Sequence, residues 1–179
     1  MYTTMRKICF TLVLTFVSVV TFAGNPLSVV SSKVDLKQLM KEDAYAILVI
    51  DWSRAKYDNK KTAAAEFGKD LAFIKNDCAD KFIEGFNDKS KGIVLDKNRK
   101  KAPYKFVIRV TNLDAYVDVM RGGQWEGKMW GTLKIVKTSN GATLAEVDIE
   151  EAEDGKDYVR KESFGKTFKR LGGKVAKLK

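Results

Sequence analysis

The sequence predicts an α+β fold, and three observations carry that prediction. Apolar residues recur every three or four positions from Phe67 to Phe86, and again from Phe164 to Leu178, which is the period of one helix face. From Tyr104 to Glu150 the period drops to two, that of a half-buried strand. Two turn sequences, Arg121-Gly122-Gly123 and Ser139-Asn140-Gly141, cut this stretch into three successive strands. The predicted order is β-α-β-β-β-α. An antiparallel meander carries a long helix and a C-terminal amphipathic helix packed on the sheet.

Size and charge bound the rest. The chain has 179 residues with 33 Lys+Arg, 23 Asp+Glu and no His. That length suits one domain. Without histidine there is no Ser-His-Asp or Cys-His chemistry, no imidazole proton shuttle and no His-containing zinc site. No other motif gives a catalytic, metal or cofactor signature, so a protein that is not an enzyme is expected.

The first 23 residues have the layout of a secretory signal peptide. Arg6 and Lys7 precede an uncharged, mostly apolar run from Ile8 to Phe22, and Thr21-Phe22-Ala23 places small residues at −3 and −1 of a cleavage site. Four hydroxyl residues in that run make it a poor span, which needs ~20 apolar residues. Export to the periplasm, cell envelope or exterior is expected. Cys9 leaves with the peptide, so Cys78 has no partner for an intramolecular disulfide. Loss of Arg6 and Lys7 lowers the net charge from +10 to +8.

Residues 24–43 read as a flexible leader with a short helical turn near Asp35, and 44–179 as the single α+β domain. Ala44 to Ile50 is a continuous apolar run, expected to be a strand covered on both faces. Arg54 to Lys61 is a charged loop. The first long helix begins between Ala63 and Lys69 and reaches about Asn87. Gly68 costs ~1 kcal/mol inside a helix, which favours a start beyond it. A polar loop follows to Pro103, with a brief extended piece at Ile93 to Leu95.

In the first meander strand Phe106, Ile108 and Val110 share one parity, whereas Leu113, Ala115 and Val117 take the other. Such a shift is the mark of a β-bulge. The second strand sets Trp125, Met129, Leu133 and Ile135 against Glu126, Lys128, Trp130, Thr132 and Lys134. The third runs from Ala142 to Glu150, with an acidic stretch to Asp157 after it. A three-residue loop at Ser139–Gly141 pairs Ile135 with Ala145 and Leu133 with Val147, keeping apolar residues together.

Two functional readings follow. The first is a binding or assembly module that meets an unknown protein or envelope component through an exposed sheet face or edge. The second is a carbohydrate- or polyanion-binding protein whose basic-aromatic face combines Trp130, Lys128, Lys134, Arg109 and Lys105, with Gly127 and Gly131 leaving room around the ring. An acidic glycan or anionic lipid suits that charge. Nucleic acid is disfavoured, because the chain lacks an RNP1-type run and zinc-finger spacing. If a helix or the leader covers this face, Trp130 is core instead, and the sequence leaves both readings open. The C-terminal segment adds six cations after Ser163 and no acid, and its apolar stripe is expected to dock on the sheet. Cys78 lies in the first helix's apolar stripe and is expected to be buried and inert.

The strand AYAILVIDWS, the helix end FIEGFNDKSKG, the strand YKFVIRV, the hairpin GTLKIVKTSNGATLAEV and the tail FGKTFKRLGGKVAKLK together resemble uncharacterised small secreted proteins of Bacteroides-like bacteria. The layout is also similar to the βαβββα arrangement of periplasmic and outer-membrane accessory proteins. The resemblance implies an envelope protein without activity and transfers no site residues.

Overall fold

The three longest two-residue alternations become the middle of the sheet: β6 (Tyr104–Asp118), β7 (Gln124–Lys137) and β8 (Thr143–Asp157), antiparallel neighbours in a meander. The structure is a computed structural model and describes residues 25–179; the export signal expected at 1–23 lies outside the described residues. The full strand order is β1 (Leu27–Ser32), β8, β7, β6, β2 (Tyr45–Asp51), β5 (Val94–Leu95). Two short strands, β3 (Lys56–Tyr57) and β4 (Lys61–Thr62), join beside β6. Because β2 runs parallel to both β5 and β6, the sheet is mixed. A parallel step needs a crossover, and α2 (Ala63–Phe67) with α3 (Leu71–Asn87) lies within it. Gly68 separates the two helices at φ +49°, a positive-φ conformation open mainly to glycine that breaks the helix where the sequence placed its cost.

Both long helices cover the same face of the sheet. Ile74, Cys78, Phe82 and Phe86 of α3 are buried, as are Phe164, Phe168, Leu171 and Val175 of α4 (Arg160–Val175). Their partners are Phe106, Ile108, Leu133, Ile135 and Val147 of the sheet. Phe86 meets Phe106 edge-on at 5.4 Å between ring centroids. Asp70 binds Lys161 and Gly85 touches Lys169, so the two helices lie side by side in the same direction.

Several expectations change here. The leader is no loose segment: Leu27–Ser32 pairs with β8 as an edge strand, with Leu27 against Ile149. A short helix, α1 (Leu36–Leu39), follows with Asp35 as its cap, as expected near that residue. The apolar β2 run is covered on one face only, with Ala46 0 % exposed while Tyr45 and Val49 reach 40 % and 38 %. The reason is that neither long helix crosses to the other side. The acidic stretch to Asp157 is strand, since β8 runs through it with two bulges that let it follow β7.

The bulge expected in β6 is present, with Val110 opposite Gly131 and Asn112 opposite Trp130, leaving Thr111 as the extra residue. The β7–β8 register holds at Ile135–Ala145, Lys134–Glu146, Leu133–Val147 and Gly131–Ile149. The tip differs. Thr138 donates its N–H to the Pro103 carbonyl (2.9 Å), and Lys137 pairs with Ala142 (2.8 Å). The loop is therefore 138–141, and Leu144 absorbs the additional residue as a bulge.

Candidate functional site

The sheet face opposite the helices carries the aromatic and basic residues singled out in the sequence. Along β6, Phe106, Ile108 and Val110 are fully buried while Lys105, Val107 and Arg109 between them are not. Trp130 is half-buried there, opposite Asn112 on one side and the bulge at Glu150 and Glu151 on the other. It is not part of the helix-covered core.

Three of the cations on this face stand in ion pairs. Arg109 Nε lies 3.2 Å from Asp51, and Lys134 Nζ lies 3.1 Å from Glu146. Lys128 binds Glu151 and Glu153, the latter at 3.3 Å, and sits 5.2 Å from the Tyr116 ring centre. Burial opposes the Lys128 charge, but the two glutamates outweigh it and hold its pKa above the ordinary lysine value. Lys105 lies in register between Ile47 and Val136. The face thus alternates in sign and is no uncompensated basic field. Exposed pairs of this kind contribute only ~0–1 kcal/mol each, yet an anionic ligand has to displace the acids to use the cations.

Gly127 and Gly131 are on the opposite side of β7 from Trp130, which corrects their expected role beside the ring. A β-carbon at Gly131 would stand 2.2 Å from the Arg109 carbonyl oxygen. At Gly127 it would meet Ser163 Oγ at 2.9 Å, where α4 rests on the sheet. Thr167 Oγ1 donates to the Gly127 carbonyl at 2.6 Å, fastening the helix at that point.

A denser group of cations lies on the other side of the molecule, between α3 and α4. Their backbones touch: a β-carbon at Gly172 would stand 2.2 Å from the Phe82 carbonyl oxygen. This brings Lys81 of α3, and Lys89 two residues past its end, to one cleft with Lys166, Lys169, Arg170 and Lys174 of α4. Lys177, just past α4, and Lys156 of β8 complete a volume of about 700 Å³. Among the described residues lining it, Asp88 is the one acid.

Three further acids pair with these cations. Glu84 accepts from Lys169 and from Lys81 (2.8 Å), Asp157 lies 2.7 Å from Lys166, and Glu126 lies 3.4 Å from Lys156. Lys169 first, then Lys81, draws the Glu84 pKa down from 4.5 to about 2. Arg170 and Lys174 have partners too, so the cleft is rich in cations that stand largely in pairs.

Sequence reasoning recorded the α4 cations but did not bring Lys81, Lys89 and Lys156 to them. The available signal was the step of three or four from Lys166 through Arg170 and Lys174 to Lys177, on the side of α4 away from its apolar stripe.

A second cleft, about 530 Å³, lies where β2 ends below α3, and among the described residues lining it Asp51 is the single carboxylate. Among the described residues no group of three or more His, Cys, Asp or Glu side chains is placed to hold a metal ion. No described helix is long and apolar enough to cross a membrane.

No family model and no curated protein matches the chain. Among solved structures it is similar to a PelC dodecamer from Paraburkholderia phytofirmans in space group P6, at 10 % identity and a TM-score of 0.44, with 83 % of this chain and 96 % of that chain covered. It is similar also to a PelC point-variant dodecamer from the same organism in space group C2, at 12 % identity and a TM-score of 0.38, covering 81 % and 92 %. At those scores the likeness bears on neither ligand nor partner.

Proposed function

We propose that this chain is an exported, non-catalytic binding module of the cell envelope or exterior, and that it holds an anionic partner in the cleft between α3 and α4. The observation that carries the reading is the gathering of eight cationic residues around one concave volume. Cations gathered in a cleft focus their field and concentrate anions there. Export rests on the pattern of residues 1–23. The sheet face around Trp130 is the second reading, favoured by its lack of a helical cover. It gathers only four cations, Lys105, Arg109, Lys128 and Lys134, against the eight of the cleft, and acids engage the last three.

Titration with dextran sulfate, a general polyanion, separates the two sites. Binding is expected to weaken steeply as salt rises. It should fall at least about tenfold in the Lys89→Glu/Lys177→Glu variant, since each cation near an anionic surface is worth ~1 kcal/mol. The Lys105→Glu/Lys134→Glu variant should bind as the parent does. The reverse pattern transfers the site to the sheet face.

A further inference from the structure

We infer that the outer edge of β2 takes up an extended peptide as an added strand, a segment apolar at alternate positions with a carboxylate beside Lys75. This surface is separate from the α3–α4 cleft and does not depend on it.

The backbone supplies the first argument. β5 pairs only with Tyr45 and Ala46, so among the described residues Ile47–Asp51 has no strand on that side. Ala44 and Ala46 offer their carbonyls there, to the N–H of Val94 (2.9 Å) and of Asp96 (3.2 Å). A strand repeats every two residues, so Leu48 and Ile50 turn their N–H and C=O to the same side. No strand or loop among the described residues bonds these four groups. An extended peptide presents donors and acceptors at the matching spacing.

The second argument is the cleft of about 530 Å³, which lies along this edge. Leu48, Ile50 and Trp52 form one wall, and Lys75, Ala79 and Ile83 of α3, at steps of four, form the other. Ile83 and Lys97 also line a smaller hollow with Leu95, the last residue of β5. The groove therefore starts where that strand stops and continues its lane. From Lys75 to Ile83 the helix rises about 12 Å, the length of about four strand residues. Alternate side chains of an added strand face this wall, and its apolar lining suits apolar ones.

Charge adds the carboxylate. Asp51 lies 3.2 Å from Arg109, and Lys97 lies 2.6 Å from Asp80. Lys75 has no ion pair or hydrogen bond among the described residues and lines the cleft.

The opposite edge of the sheet makes the contrast. Proteins blunt free edges with bulges, charges or short strands. β1 carries a bulge between Val29 and Ser31 and ends on Ser31-Ser32. β2 keeps an unbroken register with β6, and its free edge reads Ile47-Leu48-Val49-Ile50.

The test titrates the full chain with a blocked hexapeptide, Asp-Val-Thr-Val-Thr-Val, and follows amide hydrogen exchange. Saturating peptide is expected to slow exchange at Leu48 and Ile50 at least about tenfold. Ile47 and Val49, whose N–H groups face β6, should exchange as before. N-methylation of one alternate set of peptide nitrogens should weaken binding at least about tenfold, and of the other set should not. Lysine in place of the aspartate should weaken binding roughly fivefold, and the Lys75→Glu variant should invert that preference. Ala79→Arg, which fills the cleft, should abolish binding with the circular dichroism spectrum unchanged. No binding, binding without protection of Leu48 and Ile50, or equal loss from both methylated sets overturns the added strand. Protection of these two amides that rises with protein concentration in the absence of peptide also overturns it, and assigns the edge to a second copy. Equal affinity for the aspartate and lysine peptides overturns the carboxylate at Lys75.

Discussion

Gly85 of α3 and Lys169 of α4 meet backbone to backbone: a β-carbon at position 85 would lie 1.8 Å from the Lys169 carbonyl oxygen. Only a residue without a side chain lets the helices approach this far, and that approach puts the cations of both helices on one cleft. Gly85→Ala is therefore expected to cost about 1–3 kcal/mol by overpacking, despite the better helix propensity of alanine. Gly173→Ala, whose nearest neighbours are at 3.3 Å, should change stability by less than about 1 kcal/mol. Denaturant midpoints of the two variants check the contrast. An unaltered midpoint for Gly85→Ala would contradict this packing.

Glu84 links the cleft to pH. Its folded pKa of about 2, against 4.5 ordinarily, comes from Lys169 and Lys81. Between these values the unfolded chain takes up a proton that the folded chain does not, so acid favours unfolding. The Glu84 contribution is complete above the ordinary carboxylate value and disappears as pH falls towards 2. Glu84→Gln should flatten the stability slope over that window, measured by urea unfolding at a series of pH values. At neutral pH it also releases Lys81 and Lys169, so polyanion affinity should rise by roughly fivefold at ~1 kcal/mol per charge.

Cys78 is fully buried in the α3 stripe, and burial first, then Asp77, pushes its thiol pKa well above the ordinary value. Both effects suppress the reactive thiolate. Modification by a soluble thiol reagent should be slow in native protein and reach the free-cysteine rate in denaturant. Peptide mapping distinguishes Cys78 from Cys9. Rapid modification of native Cys78 would place the wrong face of α3 inwards.

Trp130 is half-buried on the uncovered sheet face. Trp130→Ala is expected to cost about 1–2 kcal/mol from lost apolar contact, against the ~3–5 kcal/mol of a fully enclosed tryptophan. Calorimetry gives the difference, and dextran sulfate binding in the α3–α4 cleft should be unaffected. A loss of that binding would revive the aromatic face as the ligand site.

What the sequence determined by itself was local and periodic. The two helix stripes, the strand alternations, the β6 parity shift and the inward register around Leu133–Val147 all follow from residue spacing, because a side chain's face is fixed by its place in a helical turn or pleat. Tertiary structure decided matters that depend on elements far apart in the chain. A seven-residue apolar run looks the same whether one or two of its faces are covered, so β2 and Trp130 could not be assigned from pattern. The edge strand β1 depends on a partner more than a hundred residues away, with Leu27 opposite Ile149. The α4 cations were visible from the start, but the cleft arose only when Gly85 and Gly172 allowed two helix backbones to touch. Charge is additive along a sequence; a field depends on distance, and distance here was set by the packing of α3 against α4.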